Sequence, residues 1–406
     1  MKMHAPVAER FPQASRRLAA VTRAALYVTV AAMPFSIALT QTALTVAILS
    51  WMVRMGVERR VLARRTPLEV AFVLYVAAEL LSLAFSIDVP KAAMYLKRLL
   101  LVPTVYVVAN NVDNERTLNR LLATFLVAMS VYSLWGLGSF ALNPSLRVRH
   151  IQNSMTAGGL TMIAAVAASA VAAASTRTKA RLWSGAAAVV NGACLVLTNT
   201  RGSWLGFAVA FLLLALLTDW RLALILPVLG IASYMVVPNQ YKARVTHFFD
   251  PHYRTNAYRL TWWKTGWRIF KDHPITGVGD IDTVEIYRRY MGANETQPVG
   301  HFHNNFVHIA VTLGSIGLAA FTFLLVRIGI FLGRTLRAAR SPSLRVVALA
   351  GLCSFAAFVV NGFFEWNYGD AEIITVMWWL VGMVAATAAL IQRSKALETL
   401  LVEVPE

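Results

Sequence analysis

The chain is 406 residues long, 57% hydrophobic and 14% charged, with a mean hydropathy of +0.57 and a net charge of +18. Its apolar residues fall in repeated long runs that a soluble domain has no core to hide, so the composition predicts an all-α polytopic membrane protein. A β-barrel is excluded, because its strands would leave short alternating segments.

The first apolar run, residues 24–53, is interrupted only at Pro34 and Thr40-Gln41-Thr42. Arg16, Arg17 and Arg23 precede it, and Arg54, Arg59, Arg60, Arg64 and Arg65 follow it. Basic flanks stay in the cytoplasm, so the run reads as a hairpin of two helices, kept as an anchor and not cleaved as a signal peptide. Further spans are expected near 68–86, 93–111, 121–142, 157–175, 182–198, 203–218, 222–238, 302–331, 346–364 and 371–391. At roughly 20 residues each this makes about twelve, with both termini cytoplasmic. Transmembrane helices 1–9 then occupy 1–238, a periplasmic loop with an amphipathic helix occupies 239–301, and helices 10–12 with a short tail occupy 302–406. Cys194 and Cys353 lie inside apolar runs and read as small packing residues.

Charges that depart from this plan are the informative ones. Glu79 lies within the third span, and Lys97 and Arg98 lie about one turn into the fourth. Two readings fit them: a substrate path through the bundle interior, or a structural ion pair among themselves. Arg147, Arg149 and His150 in the outside loop 141–156 offer contacts to an anion. The outside turn Thr198-Asn199-Thr200-Arg201-Gly202-Ser203 leaves a guanidinium free, either for phosphate oxygens or for a helix end and lipid headgroups.

Residues 239–301 carry Lys242, Arg244, Arg254, Arg259, Lys264, Arg268, Lys271, Arg288 and Arg289 on the expected outer side. Long loops translocate regardless of charge, so the topology stands, and the cations point to an anionic ligand. From Arg259 a helix is expected to run to Lys271 and stop before Pro274, with a turn at Gly277-Val278-Gly279. Trp263, Trp267 and Phe270 would form one stripe, with Arg259 on it and facing inward. Lys264, Arg268 and Lys271 would lie opposite, as the snorkelling cations of an interfacial helix.

His303-Asn304 stands where this loop enters the next apolar run, with Gly314-Ser315-Ile316-Gly317 nine residues on. Imidazole is suited to moving a proton near neutral pH, which makes His303 the candidate general base. Asn304 would hold the imidazole or the acceptor, and Gly314 and Gly317 would admit a neighbouring helix. His301 and His303 form a His-x-His pair, but no acidic or thiol ligand stands near in the sequence, so no metal is expected. Glu365 and Asp370 flank the last outside turn and read as solvated loop charges.

Together these stretches resemble the bacterial O-antigen ligases, within the wider O-antigen ligase and polymerase superfamily. Thr198-Asn199-Thr200-Arg201-Gly202 is similar to its Ser/Thr-x-Ser/Thr-Arg turn. Arg259, Trp263, Pro274, Gly277 and Gly279 match its Arg…Trp…Pro-x-x-Gly-x-Gly stretch, and His303-Asn304 with Gly314 and Gly317 matches the ligase pattern. The motifs span residues 198–317. The resemblance implies a GT-C-like, inverting glycosyltransferase without metal or nucleotide. It would move O-antigen from undecaprenyl diphosphate to lipid A–core on the periplasmic face of the inner membrane. It further implies His303 as base, and Arg201, Arg259 and Arg254, with Lys97 or Arg98, around the donor diphosphate. The expected partners are that donor, the lipid A–core acceptor and membrane lipids, with no nucleic acid. Alternatives are an O-antigen polymerase, a protein O-oligosaccharyltransferase and a lipid-glycan transporter.

Overall fold

A computed structural model describes residues 12–143, 153–236, 239, 242, 246, 247, 250–293, 295 and 297–402. Arg147, Arg149, His150 and Arg244 lie outside the described residues. The described residues form helices and connections, with no strand among them.

Helices α1 (Pro12–Ala32) and α2 (Ile37–Glu58) make the expected N-terminal hairpin. Helix α3 (Glu69–Ala84) precedes α4 (Val89–Tyr95), a 3₁₀ stretch (Leu96–Leu101) and α5 (Pro103–Asn111). Next come α6 (Glu115–Leu142), α7 (Ser154–Ala174), α8 (Thr178–Thr198), α9 (Arg201–Leu217) and α10 (Ile225–Val236). Helices α11 (Arg254–Asp272) and α12 (Val284–Tyr290) lead to α13 (Asn305–Ala338), α14 (Pro342–Asn361) and α15 (Ala371–Val402).

Among the described residues, eight helices are long and apolar enough to cross a membrane: α2, the joined α4–α5 segment, α6, α7, α8, α13, α14 and α15. The other four expected spans fall on shorter or more charged helices. Helix α1 carries Arg16, Arg17 and Arg23, α3 has 16 residues and α9 has 17, and the apolar stretch containing α10 is short as well.

The core gathers around α7, which packs on α8, α9 and α14. Every residue from Thr156 to Ala170 is buried, because Ala, Gly, Ser and Thr let neighbouring backbones approach on all sides. A second cluster lies apart from this core. Ile269, Val278, Ile281, Ile286, Tyr287, Phe302 and Val311 join α11, the following loop, α12 and the start of α13.

That second cluster is pinned at a break in α13. Gly314 has φ 66° and ψ −165°, a conformation that only glycine adopts readily. The ladder lost there is replaced by the loop after α11: Val278 N–H donates to Val311 (3.0 Å), Gly279 N–H to Thr312 (2.9 Å) and Ser315 N–H to Pro274 (2.8 Å). A side chain on Gly314 would meet the Ile275 carbonyl, and one on Gly277, also at positive φ, would meet the Thr312 carbonyl. The glycines of α13 were expected to admit a neighbouring helix. Gly314 admits a loop instead, and Gly317 makes room for Leu313 of its own helix.

Candidate functional site

A cleft of about 140 Å³ opens between the start of α9, the first turns of α11, the entry to α13 and the α14–α15 turn. Arg201, Arg259, His303 and Glu365 all line it, with Trp262 and Tyr258. Four segments distant in the chain therefore meet at one place.

His303 is set by its backbone before any partner acts. It sits at φ 47°, the left-handed region that non-glycine residues enter at a cost of about 1–3 kcal/mol and that clusters at working sites. The next residue, Asn304, caps α13 by accepting from Phe306 N–H (2.8 Å) and Val307 N–H (3.1 Å). Its amide donates to the Phe363 carbonyl (2.9 Å). Asn304 thus ties α13 to the α14–α15 turn; of the two roles expected of it, imidazole or acceptor, the bond to the imidazole is made by Glu365 instead. Asn305 adds to the tie, donating to Asn367 (2.6 Å) and accepting from Tyr368 N–H (3.2 Å).

That turn delivers Glu365, which is buried and not a solvated loop charge. Its Oε2 lies 2.9 Å from His303 Nδ1, and its Oε1 lies 2.5 Å from Arg259 Nη2. Burial alone would raise the carboxyl pKa, but the hydrogen bond from His303 and the charge of Arg259 outweigh it and hold Glu365 below its ordinary value. An ionised carboxylate only accepts, so Nδ1 carries the shared proton, and a neutral ring so held would keep its lone pair on Nε2. Trp262 stacks on the imidazole at 5.0 Å and 25°. His301 packs edge-on at 4.3 Å; burial, reinforced by His303, lowers its pKa to about 4, so it is neutral and weakly basic at neutral pH.

Helix α11 ends before Pro274 with the expected turn, and Arg259 faces inward while Lys264, Arg268 and Lys271 are exposed. The aromatic stripe is rotated from the expected one. Thr265, Gly266 and Ile269 are buried, Trp262 reaches the cleft, and Trp267 is 56% exposed. Gly266 sits against Phe302, whose bulk takes the place of a side chain there. Trp263 donates from Nε1 to the Phe302 carbonyl (3.0 Å).

Arg201 opens α9 and is buried, in contrast to the free guanidinium expected. Nη2 donates to Thr255 Oγ1 (2.8 Å) and Asn256 Oδ1 (2.5 Å), and the guanidinium lies 5.4 Å from the Tyr253 ring. These contacts fix one charged fork at the wall of the cleft and anchor α11 to α9.

Arg254, Lys97 and Arg98 do not line the cleft. Arg254 is exposed beside Tyr258 (5.8 Å), and Lys97 is exposed on the 3₁₀ stretch. Arg98 pairs with Asp280 at 2.9 Å, between the rings of Tyr95 and Trp366. Of the two readings given for these charges, the ion pair with Glu79 does not form: Arg98 takes Asp280, and Glu79 accepts from Tyr75 (2.6 Å). Among the described residues no group of three His, Cys, Asp or Glu is placed to hold a metal.

Sequence reasoning missed Glu365 and Trp262. No local signal marked Glu365, whereas Trp262 was one residue off the stripe chosen. Residues 186–322 match the family model described as O-antigen ligase. The matched region holds Arg201, Arg259 and His303, and Glu365 lies beyond it. No curated protein matches the chain.

Proposed function

With residues 186–322 belonging to the O-antigen ligase family, we propose that this membrane protein transfers O-antigen polysaccharide from undecaprenyl diphosphate to lipid A–core on the periplasmic face. The observation that carries this reading is the cleft in which His303, oriented by Glu365, meets Arg201 and Arg259.

In this reaction a hydroxyl of the acceptor sugar gives its proton to His303 Nε2 as its oxygen attacks the anomeric carbon. The bond from that carbon to the diphosphate oxygen breaks, and the carbon inverts. Glu365 stabilises the imidazolium that forms, and Trp262 keeps the ring in its plane. The leaving diphosphate gains charge as the bond breaks, and preorganised guanidinium groups on Arg201 and Arg259 meet it at little reorganisation cost. The two arginines supply this charge without metal or nucleotide. Arg254, Lys97 and Arg98 are left outside the donor site. In this reading the polar groups gather at one end of the bundle, which favours catalysis at a face over a transport path through the midplane. The chain crosses the inner membrane twelve times in a GT-C-like arrangement, with α1, α3, α9 and α10 completing the count and both termini cytoplasmic.

Purified protein mixed with undecaprenyl-diphosphate-linked glycan and rough lipopolysaccharide should yield glycan-bearing lipid A–core, with or without chelator. Product lengthened on the undecaprenyl carrier would point to a polymerase instead, and loss of transfer with chelator would overturn metal independence. A cysteine at position 264 should be labelled from the periplasmic side; labelling from the cytoplasm alone overturns the topology.

A further inference from the structure

A second cavity lies at the opposite end of α13, about 40 Å along the helix from Asn305 at 1.5 Å per residue. Its volume is about 310 Å³. Arg64 and Arg65 from the strap between α2 and α3, Arg334 from α13 and Lys395 from α15 line it, and no carboxylate does. Much of the remaining wall is apolar, including Phe331, Ala385 and Ile391.

The strap is held in place, since Arg64 N–H donates to Asn110 Oδ1 (2.8 Å). Nη1 of Arg64 is buried and has no hydrogen-bond partner among the described residues. A buried donor left unsatisfied is costly, and a guanidinium more so. Asp113, the acidic group whose charge acts on Arg64, is itself paired with Arg23 (3.8 Å). The positive-inside rule explains why cations accumulate on one face. It does not explain four cations from three remote segments around one walled cavity, nor a buried nitrogen aimed at no acceptor. Arg59 and Arg60 show the ordinary case, exposed and outside the cavity.

We infer that this cavity is a binding site for a phosphate-bearing anion, held by Arg64, Arg65, Arg334 and Lys395. Phosphate oxygens would satisfy the Arg64 donor, and cationic pockets between membrane helices suit anionic headgroups. The apolar wall continues the site towards an acyl chain, which favours a phospholipid over phosphate from solution. The inference is independent of the chemistry at His303.

Native mass spectrometry of the delipidated full-length protein provides the test, with phosphatidylglycerol, phosphatidylcholine and inorganic phosphate as separate probes. The parent protein should retain phosphatidylglycerol over phosphatidylcholine. Arg64→Gln with Arg334→Gln should weaken retention by about 30-fold, the worth of two cations near a headgroup. Arg59→Gln with Arg60→Gln removes the same charge and should retain the lipid as the parent does. Should the first pair fail to fold, Lys395→Gln on an exposed side chain should still weaken retention by about fivefold. Binding of inorganic phosphate without phosphatidylglycerol would support the site and assign its ligand to solution. Absence of both ligands from the parent, or equal loss in the two double variants, overturns the inference.

Discussion

Helices α7 and α11 are of similar length, 21 and 19 residues, yet they are held in opposite ways. Helix α7 has no charged residue and is buried on all sides for four turns. Helix α11 buries Thr265, Gly266 and Ile269 and exposes most of its cations. Shape positions α7. A few directed contacts position α11: Arg259 to Glu365, Trp263 to Phe302, Arg268 to the Tyr290 carbonyl (2.7 Å), and Thr255 and Asn256 to Arg201. Arg201, Thr255, Arg259 and Glu365 both hold α11 in place and line the cleft, so structure and chemistry share residues there. In α7 they do not.

If that division holds, substitutions around α11 should remove activity from a folded protein, and substitutions in α7 should remove fold from an active one. His303→Ala should show the largest effect. Transfer should fall by on the order of 100-fold or more, about 2.7 kcal/mol of barrier, with donor binding retained. A near-parent rate, or a dead His301→Ala beside an active His303→Ala, would move the base elsewhere.

Glu365→Gln comes next, since it keeps the shape and removes the charge that orients the imidazole. Transfer should fall by on the order of tenfold or more, chiefly in kcat. The same variant tests the pairing by pH. A carboxylate held below its ordinary pKa contributes stability that is fully present above about pH 4.3 and is lost as pH falls through the lowered value. As pH falls below about 4.3, the melting temperature should drop less steeply for Glu365→Gln than for the parent; identical slopes would remove the pairing from the account.

Arg201→Lys should lose on the order of tenfold in transfer, because an ammonium cannot replace a planar fork bonded to both Thr255 and Asn256. Full activity in Arg201→Ala would take Arg201 out of the site. In α7, Gly159→Ala drives a methyl group into Ile373 and should cost about 1–3 kcal/mol of stability, with unchanged activity per folded molecule. A transfer defect without a stability defect there would erase the contrast between the helices. Smallest of all is Lys264→Ala, an exposed cation on α11, which should leave transfer unchanged.

The helical class, the long spans, the end of α11 before Pro274 and the inward turn of Arg259 were all legible in the chain. Each depends on local terms: apolar run length, the 3.6-residue period, and the inability of proline to continue a helix. The entry of the chain into an apolar run at His303-Asn304 was legible too, but not that Asn304 would cap the helix and bond the Phe363 carbonyl. Where two local patterns competed, the reading slipped. Trp262 and Trp267 both lie near Arg259 on a helical wheel, and only the packing of Gly266 against Phe302 selects the face.

What the sequence determined by itself was which segments are helices and which cations stand outside the apolar runs, because period, length and charge act between neighbours in the chain. The tertiary structure alone decided that Glu365 meets Arg259 from 106 residues away and His303 from 62, that Asp280 claims Arg98, and that α13 breaks at Gly314 to receive a loop. A glutamate in a turn carries no mark of whether water or a guanidinium will surround it. That depends on the closing of the α14–α15 turn against the start of α13, where Asn304 and Asn305 bond across it and exclude the water that would otherwise solvate the charge.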